Sequence, residues 1–452
     1  MTVWQVCQMT ASPDGAGRPF QAALLRSDGM SRSLRLIAPL VLLAIAACAP
    51  ARAPSSGPAL VIGAIYPLSG AQTEGGHEEL GGVRAALQVA RDEGVPGADR
   101  IRLQVEDVQN PAEAVAAVDR LVDRYHVPLI IGTYGSTLSA AAAAHADQRH
   151  VVYWETGAVA DEVTMGRRYV FRTVATGSTL GRMAVDFTQH VLLGAAGLQP
   201  AAARVAIVGV DDVYGRSVAD AEEAGAREAG MQVVDRVRYS PYAYDPNAIA
   251  GEVAAARPDY LWDVSYLTDG IAIWRAMLDQ RVPLRAAIGT SSAFCMDDFG
   301  RTLGAQAVGL YAADKPAGSV PSNALQPAAR ALLGRALQAY RSATGAGDMP
   351  IPGVAGFVGG WVLFHDVLPG VHGPVTSDAV RDAAYAVDEP EGMEINGGGA
   401  RFSPPGNPDA GQNLRTAAVV GQWQAVDQMK VVYPASFAQT TPKLQLSAPR
   451  FN

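Results

Sequence analysis

Residues 129–139, LIIGTYGSTLS, decide the fold class that the sequence predicts. The first three residues are apolar without polar alternation, which is typical of a parallel strand that is covered on both faces. Glycines at the fourth and seventh positions allow a positive φ and a close approach of the backbone to a ligand. An alanine-rich helix follows, and its first free N–H groups, at Ser136 and Thr137, can attract a carboxylate. The stretch therefore predicts a strand, a turn that could hold a ligand, and a helix.

Strands and helices alternate on both sides of this stretch. The predicted elements around it are, in chain order, strand 60–66, helix 78–93, strand 101–105, helix 110–125, helix 138–149 and strand 151–154. Regular alternation of this kind predicts a parallel, doubly wound sheet.

The alternation begins again beyond residue 173 and predicts a second lobe. Its elements are helix 179–193, strand 204–210, helix 217–229, strand 232–238, helix 246–256, strand 260–264, helix 271–280 and strand 286–289. The rest of the chain predicts helices 326–343, 354–368 and 377–385, and a closing pair of strands at 417–423 and 428–432. The fold class is thus α/β, with two doubly wound parallel-sheet lobes joined by a hinge. A cleft between such lobes is where ligands are usually enclosed.

Composition and motifs exclude several functional classes. The formal net charge is −8 and no Lys/Arg run occurs, so nucleic acid is not an expected partner. His77 and Glu78 begin like a zinc-protease helix, but Gly81 stands where the second histidine is required. No phosphate-loop pattern, dinucleotide glycine pattern or nucleophile elbow is present in the sequence. We therefore expect no catalysis, no metal and no cofactor.

The first 58 residues resemble export and attachment signals. A basic start and an uncharged apolar run lead to two small residues and then to Cys48, as in a bacterial lipobox. We interpret residues 1–29 as a misassigned leader, with translation starting at Met30, and residues 30–48 as a lipoprotein signal peptide whose Cys48 is lipidated. Residues 49–58 would be a tether. An ordinary signal peptide that contains a cysteine is the alternative.

Five segments, taken in order, carry a resemblance to a known family. They are residues 61–70, VIGAIYPLSG; Glu106-Asp107 with Asn110-Pro111-Ala112; Ile131-Gly132 with Ser136; Phe171-Arg172-Thr173; and Asp212-Val213-Tyr214-Gly215. From about residue 59 to residue 433, the chain resembles the branched-chain amino acid (leucine/isoleucine/valine) binding proteins of bacterial ABC importers.

The resemblance implies a type I periplasmic-binding fold with three crossings between the lobes. We place these crossings near Thr173, Gly309 and Gly397. Lobe 1 would then consist of residues 59–173 plus 309–396, lobe 2 of residues 174–308 plus 397–433, and a C-terminal tail of residues 434–452.

The resemblance also implies a ligand site. Ser136 and its neighbouring amides would receive a ligand carboxylate, with backbone groups of Gly157 and Val159 from the next loop. Tyr214 and Tyr266 would present rings from lobe 2, and packing at the rim is the alternative for both tyrosines. The expected ligand-binding residues are Gly75, Tyr134, Gly135, Ser136, Thr137, Glu155, Gly157, Val159, Tyr214, Tyr266 and Ser291.

Two departures from the family pattern leave the ligand open. The amino-acid binders hold the ligand ammonium with a carboxylate where this chain has Thr290-Ser291-Ser292. Because an uncompensated ammonium in a closed cleft is costly, either Glu155 or Asp263 supplies the acid or the ligand has no ammonium. An expected aromatic wall is replaced by Gly75-Gly76, which predicts room for a bulkier ligand. Trp154 either stacks on the ligand or belongs to the core.

The sequence therefore predicts an exported, lipid-anchored solute-binding protein of the cell envelope. Its expected partners are a small-molecule ligand, an amino acid or a related compound, and an ABC permease that receives it. The alternative is a ligand sensor of the same fold that binds an amide, a urea-like compound or an aromatic carboxylate.

Overall fold

The computed structural model describes residues 57–318 and 320–444. The predicted leader, signal peptide and lipidation site at Cys48, most of the tether and the end of the tail lie outside the described residues. Two α/β lobes, each with its own sheet, make up the described chain. The predicted fold class is confirmed.

Lobe 1 is built on a five-stranded parallel sheet in the order β2-β1-β3-β4-β5. Its first elements are β1 (Leu60–Tyr66), α1 (Thr73–Asp92), β2 (Ile101–Asp107), α2 (Pro111–Tyr125), β3 (Leu129–Gly132), α3 (Ser136–Gln148), β4 (Val152–Glu155) and β5 (Val170–Arg172). The side chain of Asn110 accepts a hydrogen bond from the Glu113 N–H and so caps α2, whose first residue is a proline, as the sequence predicts.

Lobe 2 is built on a seven-stranded sheet in the order β12-β11-β10-β9-β8-β6-β7. Its main run is α4 (Gly177–Phe187), α5 (Leu193–Ala196), β6 (Arg204–Val210), α6 (Val213–Glu228), β7 (Gln232–Tyr239), α7 (Pro246–Ala256), β8 (Tyr260–Val264), α8 (Leu267–Asp279), β9 (Ala286–Thr290), α9 (Asp297–Leu303) and β10 (Tyr311–Asp314). The chain then forms α10 (Pro327–Thr344), α11 (Ile351–Trp361) and α12 (Ser377–Tyr385), followed by β11 (Val419–Ala425) and β12 (Gln428–Tyr433). The last two strands are antiparallel and the others are parallel.

Helix starts differ most from prediction. Helix α1 begins at Thr73 and not at residue 78, and α6 begins at Val213 and not at residue 217. Glycines in these first turns have low helix propensity, so periodicity alone places the start too late. The strand β10 and the helix α9 were not predicted, because both are short and lack a strong period.

The structure moves two of the three predicted crossings. Strand β10 pairs with β9 in lobe 2, so the second crossing follows Asp314 and the boundary near Gly309 is wrong. Phe402 packs against Trp154 in the core of lobe 1, so the third crossing lies well beyond Gly397. Residues 309–314 therefore belong to lobe 2. A turn-rich sequence does not specify which sheet its ends contact, and this caused both errors.

Side chains tie the first and third crossings together. The buried Arg172 guanidinium donates from Nε to Gln412 Oε1 at 2.6 Å. Gln412 Nε2 donates to the Val174 carbonyl oxygen at 2.9 Å, and Asn413 Nδ2 donates to the Thr173 carbonyl oxygen at 3.1 Å. The two segments that join the lobes therefore lie side by side and would bend together.

Helices α1 and α11 approach each other through glycines. A Cβ on Gly82 would lie 2.0 Å from the Gly353 carbonyl oxygen, and one on Gly356 would lie 2.0 Å from the Glu79 carbonyl oxygen. By length and composition the helical segment Ile351–Gly370 could cross a membrane, but 89% of its most apolar window is buried in the described protein. We interpret it as a core helix, since a helix that is apolar all round is buried.

We expect Gly356→Ala to lower the free energy of unfolding by about 2 kcal/mol, because the new methyl group would overlap backbone atoms of α1. The matched control is Gly334→Ala in α10, where no atom lies within 4 Å of an added Cβ. Alanine should stabilise that exposed helix by about 0.5 kcal/mol. Urea unfolding measures both changes, and equal effects would contradict the tight glycine contact.

Candidate functional site

The loop after β3 in lobe 1 contacts the loops after β6 and β9 in lobe 2. Tyr134 donates from its hydroxyl to Met296 Sδ at 3.7 Å, and Thr137 Oγ1 donates to Asp212 Oδ2 at 3.2 Å. Ligands of open α/β sheets bind at the carboxyl ends of strands, which is where these loops begin. The contacts therefore define a candidate cleft between the lobes.

The inner part of this cleft keeps a free volume of only about 10 Å³. Three expected residues line it, namely Tyr134, Gly157 and Ser291. The lining residues that the sequence did not predict are Glu79, Ser292, Cys295, Met296, Asp314, Lys315, Ile351, Pro352 and Ala355. A second cavity, of about 510 Å³, shares Asp314 and Lys315 with it and extends towards β11 and β12.

The Glu155 carboxylate occupies the anion-binding turn of lobe 1. Its Oε1 accepts from the N–H groups of Thr156, Gly157 and Ala158 at 2.9, 2.7 and 2.7 Å. Its Oε2 accepts from the Thr133 N–H at 3.0 Å and from the Ser139 hydroxyl. The Gly157 amide thus binds a carboxylate of the protein itself. A backbone contact of Gly157 with a ligand stays a prediction, and Glu155 as the acid for a ligand ammonium stays one of the alternatives.

Ser136 is also bonded within lobe 1. Its Oγ accepts from the N–H groups of Val159 and Ala160, each at 3.2 Å, and the residue is 3% exposed. These bonds fasten the first turn of α3 to the loop after β4. In this structure the Val159 amide donates to Ser136, and its contact with a ligand stays a prediction.

Gln72 and Tyr134 fill the space around the glycines of the site. A Cβ on Gly75 would lie 2.3 Å from the Tyr134 ring, and one on Gly135 would lie 2.0 Å from Gln72 Oε1. The room expected at Gly75 for a bulkier ligand is thus taken by a side chain of the protein. Both glycines are required by close approach.

Asp212 joins the two lobes, although the sequence identified it only as part of a family segment. Its Oδ1 caps α6 by accepting from the Gly215 N–H at 2.9 Å. Its Oδ2 accepts from Thr137 of lobe 1 and from the Tyr266 hydroxyl, the latter at 2.7 Å. Tyr214 lies beside Tyr266 with ring centroids 5.2 Å apart. Both predicted tyrosines therefore lie near the cleft.

Ser291 and Ser292 adopt positive φ angles of 60° and 29°. The left-handed region costs energy for residues other than glycine and is often occupied at functional sites. Both serines line the inner cleft, and Ser292 is hydrogen-bonded to Tyr134. The backbone thus places two hydroxyl groups where the amino-acid binders would present an acid.

Two further sequence hypotheses concern buried residues outside the cleft lining. Trp154 is fully buried, donates from Nε1 to the Gly359 carbonyl oxygen at 2.9 Å, and packs on Phe171. Trp154 therefore belongs to the core and does not stack on a ligand. Asp263 is 1% exposed inside lobe 2, accepts from the Ser265 hydroxyl, and does not line the inner cleft.

The inner cleft contains charged groups that sequence reasoning did not assign to it. Lys315 Nζ lies 3.0 Å from Asp314 Oδ1. Burial lowers the pKa of Lys315, but Asp314, Cys295 and Glu79 together outweigh burial, and the pKa of Lys315 is raised. Burial also raises the pKa of Glu79 well above its usual range. Glu79 stood in a failed zinc motif and Lys315 after an unpredicted strand, so only tertiary structure brought them together.

The sequence profile of the family described as periplasmic binding protein matches residues 59–424. The chain belongs to this family. A similar relative of this periplasmic binding protein is Leu/Ile/Val-binding protein homolog 8 of Brucella abortus. The two are 26% identical over 378 residues, covering 83% of this chain and 91% of the relative. Membership of the family implies a solute-binding protein that is exported to the periplasm.

Solved structures share the fold of this periplasmic binding protein. The branched-chain amino acid substrate-binding protein LivJ from Streptococcus pneumoniae, in complex with isoleucine, gives a TM-score of 0.67 at 19% identity and covers 83% of this chain and 100% of that one. An ABC-transporter solute-binding protein from R. palustris, in complex with benzoate, gives a TM-score of 0.69 at 15% identity. The match covers 86% of this chain and 99% of that one. The type I fold is thereby confirmed.

Proposed function

We propose that this protein captures a small polar organic solute between its lobes and delivers it to an ABC permease. The observation that carries the proposal is the direct contact of strand-end loops from both lobes across a cleft lined with polar groups. Family membership and the names of the relatives support the same role.

Capture requires the lobes to separate and close again. About 10 Å³ of free space is room for about one water molecule, so an organic solute does not fit in the inner cleft while the lobes are in contact. The paired crossings at Arg172 and Gln412 form a hinge for this motion. A solute that touches both lobes favours the closed state because it binds that state more strongly.

An amino acid or a related compound is the proposed ligand class. The relatives named for leucine, isoleucine and valine support it. An aromatic carboxylate is the second candidate, supported by the benzoate complex of the R. palustris protein. A sensor of the same fold is the alternative role, and a signalling partner in place of a permease would distinguish it.

We also propose attachment to the membrane through lipidated Cys48. The basic start, apolar run and small residues before this cysteine support the proposal. Several acyl chains on one residue would hold the protein at a membrane surface, close to a permease. Acyl labelling that persists in a Cys48→Ala variant would contradict it.

A thermal-shift screen of amino acids, amides and aromatic acids tests the capture role. A ligand present at about 100 times its dissociation constant adds about 2.7 kcal/mol to stability. We expect Thr137→Val to lower the affinity for the solute identified in this screen by about fivefold, because one hydrogen bond between the lobes is lost. Thr302→Val, on the exposed surface of α9, is the control. The absence of a shift with every compound would contradict capture.

A further inference from the structure

Glu79 is a fully buried carboxyl that points into the inner cleft. Its Oε1 accepts from the Thr156 hydroxyl at 2.5 Å. Its Oε2 has no hydrogen-bond partner among the described residues. A Cβ on Gly157 would lie 1.7 Å from that oxygen, so the absence of a side chain at this position leaves space for it. One oxygen of Glu79 is thus held in place, and the other lies beside Gly157 at the wall of the inner cleft without a partner among the described residues.

The other charges of the cleft are already balanced. Lys315 is paired with Asp314 at 3.0 Å, and Glu155 is surrounded by five donors. The uncharged hydroxyls of Tyr66 and Tyr153 and the thiol of Cys295 also lie around the group. The facing residues of α11 are Ile351, Pro352 and Ala355, which carry no charge. Among the described residues Glu79 has no ion pair of its own, and the nearby Lys315, which lowers its pKa, is paired with Asp314.

A buried carboxylate without a partner is unstable, so it either binds a proton or receives a cation. We propose that Glu79 receives the positively charged nitrogen of the captured solute, which therefore belongs to the amines or α-amino acids. This inference rests on the proposed capture function. Glu79, from α1 of lobe 1, would thus replace the carboxylate that the amino-acid binders have where this chain has Ser291.

The same geometry disfavours a solute that is only anionic. Glu155 and Ser136 occupy amides of the lobe 1 loop that a carboxylate could use. An anion near Glu79 would also meet a like charge or require Glu79 to stay protonated. Ser291, Ser292 and Lys315 also line the inner cleft. A zwitterion could reach them with its carboxylate while its ammonium contacts Glu79.

Binding of a cation to Glu79 should release a proton. Burial and then the neighbouring Glu155 raise the pKa of Glu79 well above its usual range, while Thr156 and Lys315 lower it. Without a solute the group therefore keeps its proton to a higher pH than an ordinary glutamate does. A ligand ammonium favours the ionised form, so about one proton leaves for each ligand bound. Calorimetry in buffers of different ionisation enthalpy counts this proton on the wild-type protein.

Three probes of similar shape separate the contribution of the ligand ammonium from that of the ligand carboxylate. They are leucine, isopentylamine, which lacks the carboxylate, and isocaproate, which lacks the amine. We expect Glu79→Gln to lower the affinities for leucine and isopentylamine by about 30-fold and to leave the affinity for isocaproate unchanged. The matched control is Glu222→Gln, which neutralises an equally buried carboxyl in lobe 2, outside the inner cleft. Its affinities should equal those of the wild type.

Each outcome decides the proposal. Loss of amine affinity in Glu79→Gln, together with proton release in the wild type, supports it. Equal affinity for leucine in Glu79→Gln and the wild type, or binding of leucine without proton release, overturns it. If only isocaproate binds, capture stands and the role of Glu79 fails. If the wild type binds none of the probes and nothing in the wider screen, capture and this inference fail together.

Discussion

We expect Glu155→Ala to lower the free energy of unfolding by about 4 kcal/mol. The carboxylate accepts five hydrogen bonds, four of them from backbone N–H groups in buried turns. Each buried donor left without an acceptor costs about 1–3 kcal/mol. Water that enters the vacated space would recover part of this loss, which keeps the total below the sum.

Two variants and one additive make this test specific. Glu252→Ala removes an exposed glutamate from α7 and should change stability by less than about 0.5 kcal/mol. Glu155→Gln keeps the shape and one acceptor, so we expect a smaller loss. Acetate or formate should partly restore Glu155→Ala by entering the same ring of amides. A loss below about 1 kcal/mol in urea unfolding would show that the donors do not depend on Glu155.

Glu222→Gln should remove much of the pH dependence of unfolding. Glu222 in α6 is fully buried, and only its Oε1 has a partner among the described residues, the Thr290 hydroxyl at 2.8 Å. Burial raises its pKa to about 8, Thr290 and Arg236 lower it, and Asp263 raises it. Burial also raises the pKa of Asp263, to about 7.

The sign of the effect follows from the raised pKa of Glu222. A carboxyl whose pKa is raised by folding contributes its full stability below the pKa of the unfolded chain and loses it as the pH rises through the folded value. From its usual value of 4.5 to about 8, the loss for Glu222 is on the order of 4 kcal/mol. Glutamine cannot ionise and avoids this loss.

We therefore expect the stability of Glu222→Gln relative to the wild type to increase steadily between about pH 5 and pH 8. Urea unfolding at several pH values measures the difference, and Glu252→Gln provides an exposed control in α7. A residual slope should persist because Asp263 is unchanged. Parallel curves for Glu222→Gln and the wild type would show that Glu222 keeps its ordinary pKa in the folded protein.

Part of the candidate site followed from local sequence. The strand, turn and helix at residues 129–139 occur nearly as predicted, and Gly132 has the positive φ, 143°, that was expected. Tyr134 and Ser291 do line the cleft. The hydrogen bond from the Gly157 N–H to Glu155 could not be recognised from sequence, because no local pattern identifies the acceptor.

The sequence by itself determined the two α/β lobes, most of their strands and the start of α2. Periods of two and 3.6 residues and capping side chains act over short separations, so they are visible in one dimension. Only the tertiary structure decided which lobe holds β10 and which carboxyl fills the amides after β4. It also brought Glu79 to Thr156, 77 residues away in sequence. Burial and charge balance depend on neighbours that are distant along the chain, and therefore the chemistry of the cleft arises at that level.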